Sequence, residues 1–304
     1  MTAPHRSFAL PTRTDIERAI EQCGYPLEQA VVLAAERAKF HVMPNWMWRD
    51  NQDGKQREID VVCIAGRYEV DATAVVHVLV ECKTFRAGLV LFEHPNANAY
   101  DSHYADLSSW HFWGQPHALV HEPPSIGGTP TGAWAGWTQR RWKRAPVWGT
   151  QYEVVQGKPP HWTLSQEGAH ESVESLRRCF LAYQRDEQIA EDSARVYMNF
   201  GALVVAVDGP LYASGARSMR RRPRLKSVRC ATFVRHAFIG HYPASLRVDF
   251  VQAKFVPRYL VQLRKEIDEI TSEAVAQKDL LRESVKKFGS SRKYRSALEN
   301  QFQR

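Results

Sequence analysis

The run Gly54-Lys-Gln-Arg-Glu-Ile-Asp-Val-Val-Cys-Ile64, followed after a short turn region by Val75-Val-His-Val-Leu-Val-Glu-Cys-Lys83, decides how this chain is read. Each half is β-branched and aliphatic and ends in turn chemistry, which predicts two strands, about Glu58–Ala65 and Ala74–Thr84. Residues two apart on a strand share a face, so Glu81 and Lys83 stand side by side while Cys82 points the other way, into the core. Asp60 lies between Ile59 and Val61, an awkward place for a carboxylate. If the two strands are antiparallel neighbours, Asp60 comes close to Glu81. Two carboxylates and an ammonium at the end of a buried sheet cost desolvation free energy unless something, typically a metal ion, compensates them.

Upstream of this stretch, residues 1–13 form a lead-in without periodicity. Thr14 to Glu17 has capping-box spacing, and Ile16, Ile20 and Cys23 continue a helix that Gly24 stops. Pro26 suits the first turn of a second helix, with Leu27, Val31, Ala34 and Ala38 on one stripe and its end near Phe40. Glu28 sits in that first turn, where a carboxylate also favours the helix dipole. A strand over His41–Arg49 follows, and Asn51-Gln52-Asp53-Gly54 reads as a hairpin loop.

Downstream, Gly88–Glu93 reads as a short strand. About residues 94–160 are rich in Pro, Gly, His and Trp, and read as an insertion that either contacts substrate or is a flap pinned by tryptophan packing. In its substrate-contacting form Arg140, Arg141, Lys143 and Arg144 approach phosphates. His103, His111, His117 and His121 lack metal-site spacing. Helices are expected at about Ala169–Gln188 and Ala190–Phe200, then a central strand at Ala202–Val207 broken by Gly209-Pro210. Arg217 to Arg229 holds Arg220, Arg221, Arg222, Arg224 and Lys226 without an acid, either a solvated face or a phosphate-contacting one. Strands at Val228–Ile239 and Leu246–Gln252 precede a long amphipathic helix beyond Pro257, with Leu260, Leu263, Ile267, Ile270, Ala274 and Leu281 near heptad spacing. It either packs on the domain or pairs with a second copy or a partner protein. The division expected is a domain over 14–257, with its insertion, and a helix with a basic tail over 258–304.

The 304 residues carry a formal charge of +8 and are 44% hydrophobic, which argues against wholesale disorder and points to an anionic partner, nucleic acid first and an acidic membrane surface second. Five scattered cysteines, with no Cys-x-x-Cys pair, argue against a disulfide frame and a zinc knuckle. With no apolar signal core and no run of membrane-spanning length, a cytoplasmic location is expected.

A helix bearing Glu28, then strands, Asp60, and Glu81-Cys82-Lys83 closing an apolar strand about twenty residues later resemble the PD-(D/E)xK nucleases. The run Arg57-Glu58-Ile59-Asp60 is also similar to bacterial members. The likeness covers about residues 24–93 closely, and the later helix and strand fit in order only. A Glu-x-Lys triplet arises by chance roughly once in a chain of this length; the conjunction with Asp60 and Glu28 carries the weight. The alternative for Glu81 and Lys83 is a surface ion pair on an edge strand.

The resemblance implies an α/β fold of the restriction-endonuclease-like type: a central mixed β-sheet flanked by helices, here with a long Trp-rich insertion and a C-terminal amphipathic helix. It implies a Mg²⁺- or Mn²⁺-dependent nuclease, with DNA first and RNA second as substrate, in bacterial defence, restriction or repair. Asp60 and Glu81 would hold the metal, with the Cys82 backbone carbonyl as a third ligand. Lys83 would orient the attacking water and oppose the developing charge. Glu28 would serve a second metal or its water, Gln151 would reach the site as in some relatives, and Glu58 would be a spare ligand or a partner for Arg57. The rival readings are a nuclease-fold module that binds nucleic acid without turnover and a subunit of a larger complex activated by its partner.

Overall fold

A computed structural model describes residues 10–50, 53–94, 111–114, 147–186, 196–215, 224–239, 242–276 and 278–279. Helix α1 (Arg13–Gln22) opens with a capping box in which the Thr12 hydroxyl accepts from the Asp15 amide and the Asp15 carboxylate accepts from the Thr12 amide. The box therefore sits two residues earlier than the Thr14–Glu17 spacing suggests, because Asp15 reaches back as well as Glu would. Helix α2 (Tyr25–Arg37) has its proline in the first turn and buries Val31, Val32, Ala34 and Ala35.

Strands β1 (His41–Arg49), β2 (Gln56–Tyr68) and β3 (Ala72–Thr84) form an antiparallel meander. Then come β4 (Leu89–Glu93), β5 (His111–Gly114), β6 (Trp148–Lys158), β7 (His161–Ser165) and helix α3 (Ala169–Asp186). The chain continues through β8 (Val196–Asp208), β9 (Leu211–Gly215), β10 (Arg224–Ser227), β11 (Cys230–Ile239) and β12 (Tyr242–Gln252), and ends its described part in helix α4 (Val256–Ala276). Among the described residues these make one 12-stranded mixed sheet of order β1-β2-β3-β8-β12-β11-β6-β4-β9-β10, with β5 on β8 and β7 on β6.

The sheet is covered on both sides, so β3, paired along its whole length with the parallel β8, is buried at every position from Ala72 to Cys82. One core lies between the sheet and helices α2 and α4, and includes Val61, Cys63, Val78, Val80 and Cys82. The other lies under α3 and includes Val62, Leu79, Leu203 and Val205, with Val173, Leu176 and Cys179 of the helix. The protein is thus α/β, with helices on the two faces of a mixed sheet. Among the described residues no helix is long and apolar enough to cross a membrane.

Two stretches differ from the sequence reading, and strands β5, β7, β9 and β10 appear where none was expected. Residues 196–200, expected to be helical, are the start of β8: Val196 to Phe200 pair with Ala72 to Val76 of β3, and tertiary pairing outweighs local propensity. The stretch read as an insertion ends sooner, because β6 is an integral strand between β4 and β11, with Tyr152 and Val154 turned inward. The tryptophan- and proline-rich neighbourhood hides that alternation. Of the two alternatives open for the C-terminal helix, the first holds: α4 packs its apolar stripe (Leu260, Leu263, Ile267, Ile270, Ala274) on the domain's own core. Burial stabilises each such side chain by roughly 1.5–3 kcal/mol, and this face of the helix is not offered to a partner.

Candidate active site

The β2–β3 ladder runs from Tyr68↔Thr73 to Val61↔Val80 and stops there. Past that point β2 continues along β1 and β3 continues along β8, so the two strands part like a fork. Asp60 and Glu81 are the first residues on either side of the opening. The Asp60 Oδ2 accepts a hydrogen bond from the Cys82 amide at 2.5 Å, closing the mouth of the fork. The amide and carbonyl of one strand residue leave the same edge, so the Cys82 carbonyl also faces β2. Its thiol packs among the apolar residues on the α2–α4 face and burial pushes its pKa up, so the sulfur is inert and only the backbone of Cys82 faces Asp60.

Glu81 is the unusual group. Its side chain is 8% exposed, and Oε1 receives the Lys83 ammonium at 2.9 Å. Oε2 is buried and accepts no hydrogen bond from the described residues. Burial, and then the Asp60 charge, push the Glu81 carboxyl up to about 7, against the pull of Lys83. For Lys83 burial acts to lower the pKa, but Glu81 and Asp60 outweigh it and raise the value, so the ammonium stays charged. Glu28, from the first turn of α2, feels the same cluster: burial and then Asp60 and Glu58 raise its pKa, and Lys83 opposes them. Asp60, Glu81, Lys83 and Glu28 therefore form one electrostatic group, brought together from β2, β3 and α2.

The donor set suits a hard divalent cation in part. Two carboxylates and a backbone carbonyl converge on the fork, and the unpartnered Oε2 of Glu81 is the kind of oxygen a cation satisfies. Among the described residues no three His, Cys, Asp or Glu side chains are placed to form a metal-holding cluster on their own. Water and substrate oxygens would have to complete the shell.

Other sequence-predicted residues lie elsewhere. Gln151 stands opposite Phe92 in the β4–β6 ladder and makes no hydrogen bond to the fork residues among the described residues. Arg57 is engaged by Asp50 at 2.7 Å and Asp53 at 2.7 Å rather than by Glu58, because the hairpin loop brings both aspartates to it. Arg224 and Lys226 are exposed on β10, at the sheet edge far from β1 in strand order, and Lys226 is paired with Glu93. Arg140, Arg141, Lys143, Arg220, Arg221 and Arg222 lie outside the described residues.

Three buried carboxylates, Asp50, Asp249 and Glu266, escaped the sequence reading. Asp50 is held by Arg57 and, at 3.3 Å, by Arg178 of α3. Asp249 on β12 accepts from Thr232 and Tyr259. The signal for the second was present as Arg247-Val248-Asp249, a charged–apolar–charged triplet on an interior strand. No protein-family model matches this chain, and neither a curated protein nor a solved structure does.

Proposed function

We propose that this chain is a metal-dependent nuclease of the PD-(D/E)xK class, hydrolysing phosphodiester bonds of DNA. The single observation that carries the reading is the fork: Asp60 and Glu81 flank the point where two buried strands part, and one Glu81 oxygen is buried there without a donor. Strand order adds support. An antiparallel β1-β2-β3 meander, a helix crossing one face, and β8 and then β12 added in parallel agree with a restriction-endonuclease-like core.

In this reading Asp60, Glu81 and the Cys82 carbonyl would hold Mg²⁺ or Mn²⁺. A divalent cation there supplies Lewis-acid neutralisation of the phosphodiester charge. The protein's own groups do the rest. Lys83, held cationic by Glu81, places positive charge where the phosphoryl oxygens gain negative charge, and it orients the attacking water. Glu28 accepts from water at the rim of the fork.

The competing reading is a module on the same fold that binds nucleic acid without turnover. It draws on the Lys83 contact, which engages Oε1 of Glu81, and on the want of a third side-chain ligand among the described residues. Incubating the full chain with linear and circular DNA and with RNA, in Mg²⁺, Mn²⁺ or Ca²⁺, separates the two. DNA cleavage in Mg²⁺ or Mn²⁺ that disappears in Glu81→Ala is the expected result. Binding without cleavage under every condition would favour the module.

A further inference from the structure

Asn45 is one of two non-glycine residues with positive φ among the described residues, at φ 53°, and it lies inside strand β1 rather than in a loop. In the β1–β2 ladder Pro44 pairs with Val61 and Trp46 with Ile59, and the position between them, Asn45 opposite Asp60, is skipped. Since the β2–β3 ladder begins only at Val61, Asp60 is the one residue of β2 without a paired partner on either side.

From Val61 to Ala65, β2 alternates in the ordinary way: Val61, Cys63 and Ala65 face α2 and α4, and Val62 and Ile64 face α3. Ile59 should share the face of Val61, but it is buried on the α3 face. Strand β1 does the same. Val42 packs toward α2 and α4 and Met43 toward α3, so Trp48 should face α2 and α4, yet it is buried under α3. Both strands reverse their phase, and the reversal brackets Asn45 and Asp60. A residue in the left-handed region between extended neighbours turns the peptide plane over and sends later side chains to the opposite face. A side chain at the reversal belongs to neither face. Asp60 accordingly points along the sheet into the seam, where it takes the Cys82 amide.

We propose that Asn45 is a positioning residue for Asp60: its left-handed backbone reverses the β1–β2 ladder at one point and so delivers the Asp60 carboxylate into the fork between β2 and β3. Asparagine is among the few side chains that tolerate this conformation, and glycine adopts it freely. A β-branched residue resists it. The ladders, the left-handed Asn45 and the two cores place the Asp60 carboxylate, and its catalytic meaning rests on the nuclease reading.

The test compares Asn45→Gly, Asn45→Ala and Asn45→Val in the full chain, with Asp60→Ala as reference. The first readout is hydrogen exchange of the Cys82 amide, taken as a ratio to the other β3 amides so that general destabilisation cancels. The left-handed conformation costs a residue with a Cβ roughly tenfold or more in population. Asn45→Val should therefore speed Cys82 exchange by about tenfold, approaching Asp60→Ala, with Asn45→Gly within about twofold of the parent and Asn45→Ala between. The second readout is Mn²⁺ affinity and the split of kcat from KM, where Asn45→Val should lower affinity and kcat and Asn45→Gly should rescue both. An unchanged Cys82 ratio in Asn45→Val overturns the proposal. If that variant does not fold, equal ratios for Asn45→Ala and Asn45→Gly overturn it instead. A shifted Cys82 ratio in a protein that neither binds Mn²⁺ nor cleaves would uphold the positioning role and remove the nuclease reading.

Discussion

Two strands of the sheet carry an apolar residue between opposite charges, Glu81-Cys82-Lys83 on β3 and Arg247-Val248-Asp249 on β12, and both carboxylates are buried. Their surroundings differ. Asp249 receives the Thr232 hydroxyl at 2.7 Å on one oxygen and the Tyr259 hydroxyl at 2.6 Å on the other, which ties α4 to the sheet. Its neighbour Arg247 lies over the Trp148 ring at 5.3 Å. Glu81 has a donor on one oxygen and none on the other, and its carboxyl is pushed up to about 7 by burial and by Asp60. Burial of an acid is therefore no mark of a working site. A buried acid with both oxygens engaged is a rivet, and one with an oxygen left over retains capacity for a ligand.

The sharpest way to break this contrast is by activity. Asp60→Ala, Glu81→Ala and Lys83→Ala should each lower DNA cleavage by on the order of 10²–10³, while Asp249→Asn should keep the parent rate per folded molecule. Equal losses at positions 81 and 249 would erase the distinction. Stability should invert the ranking. Asp249→Ala orphans two buried hydroxyl donors and should cost about 3–4 kcal/mol in urea unfolding, whereas Glu81→Gln removes a charge that burial disfavours and should cost little or stabilise.

Acidity separates the two carboxylates further. The folded pKa of Glu81, about 7, lies above the ordinary glutamate value of 4.5, so between those values the unfolded chain has released a proton that the folded chain retains. The contribution of Glu81 to stability is thus full below pH 4.5 and lost as pH rises through 7, by up to about 3 kcal/mol. Metal-free protein should follow this course relative to Glu81→Gln, and parallel stability curves for the two would refute it. The smallest effect belongs to the surface. Arg224 has no ion pair among the described residues, whereas Lys226 is held by Glu93. If β10 contacts DNA, Arg224→Ala should flatten the salt dependence of binding by about one unit of slope, and Lys226→Ala by less.

Much of this is legible in the chain because the apolar runs Val61–Ala65 and Ala74–Val80 read as neighbouring strands, and continuing their register by one residue sets Asp60 against Glu81. The illegible parts depend on distant partners. Asn45 reads as an ordinary polar residue on a strand until its skipped pairing with Asp60 is known. Asp249 reads as a stray acid until Thr232 and Tyr259, 17 and 10 residues away, are brought to it. Residues 196–200 follow a helix-favouring stretch, and only the presence of β3 alongside makes them strand. Tyr152 and Val154 alternate correctly, but Trp and Gly around them dilute the pattern.

The closed end of the β2–β3 hairpin is tied to the C-terminal part of the chain. Lys278, just past α4, reaches Asp71 at 2.8 Å and Glu69 at 3.5 Å, and Arg67 bonds Ser272 at 3.1 Å. The hairpin is thus fastened at its turn by the residues of and beyond α4, while at its other end β2 passes to β1 and β3 to β8, so the two acids at the parting are held by different neighbours and meet only through the Cys82 amide.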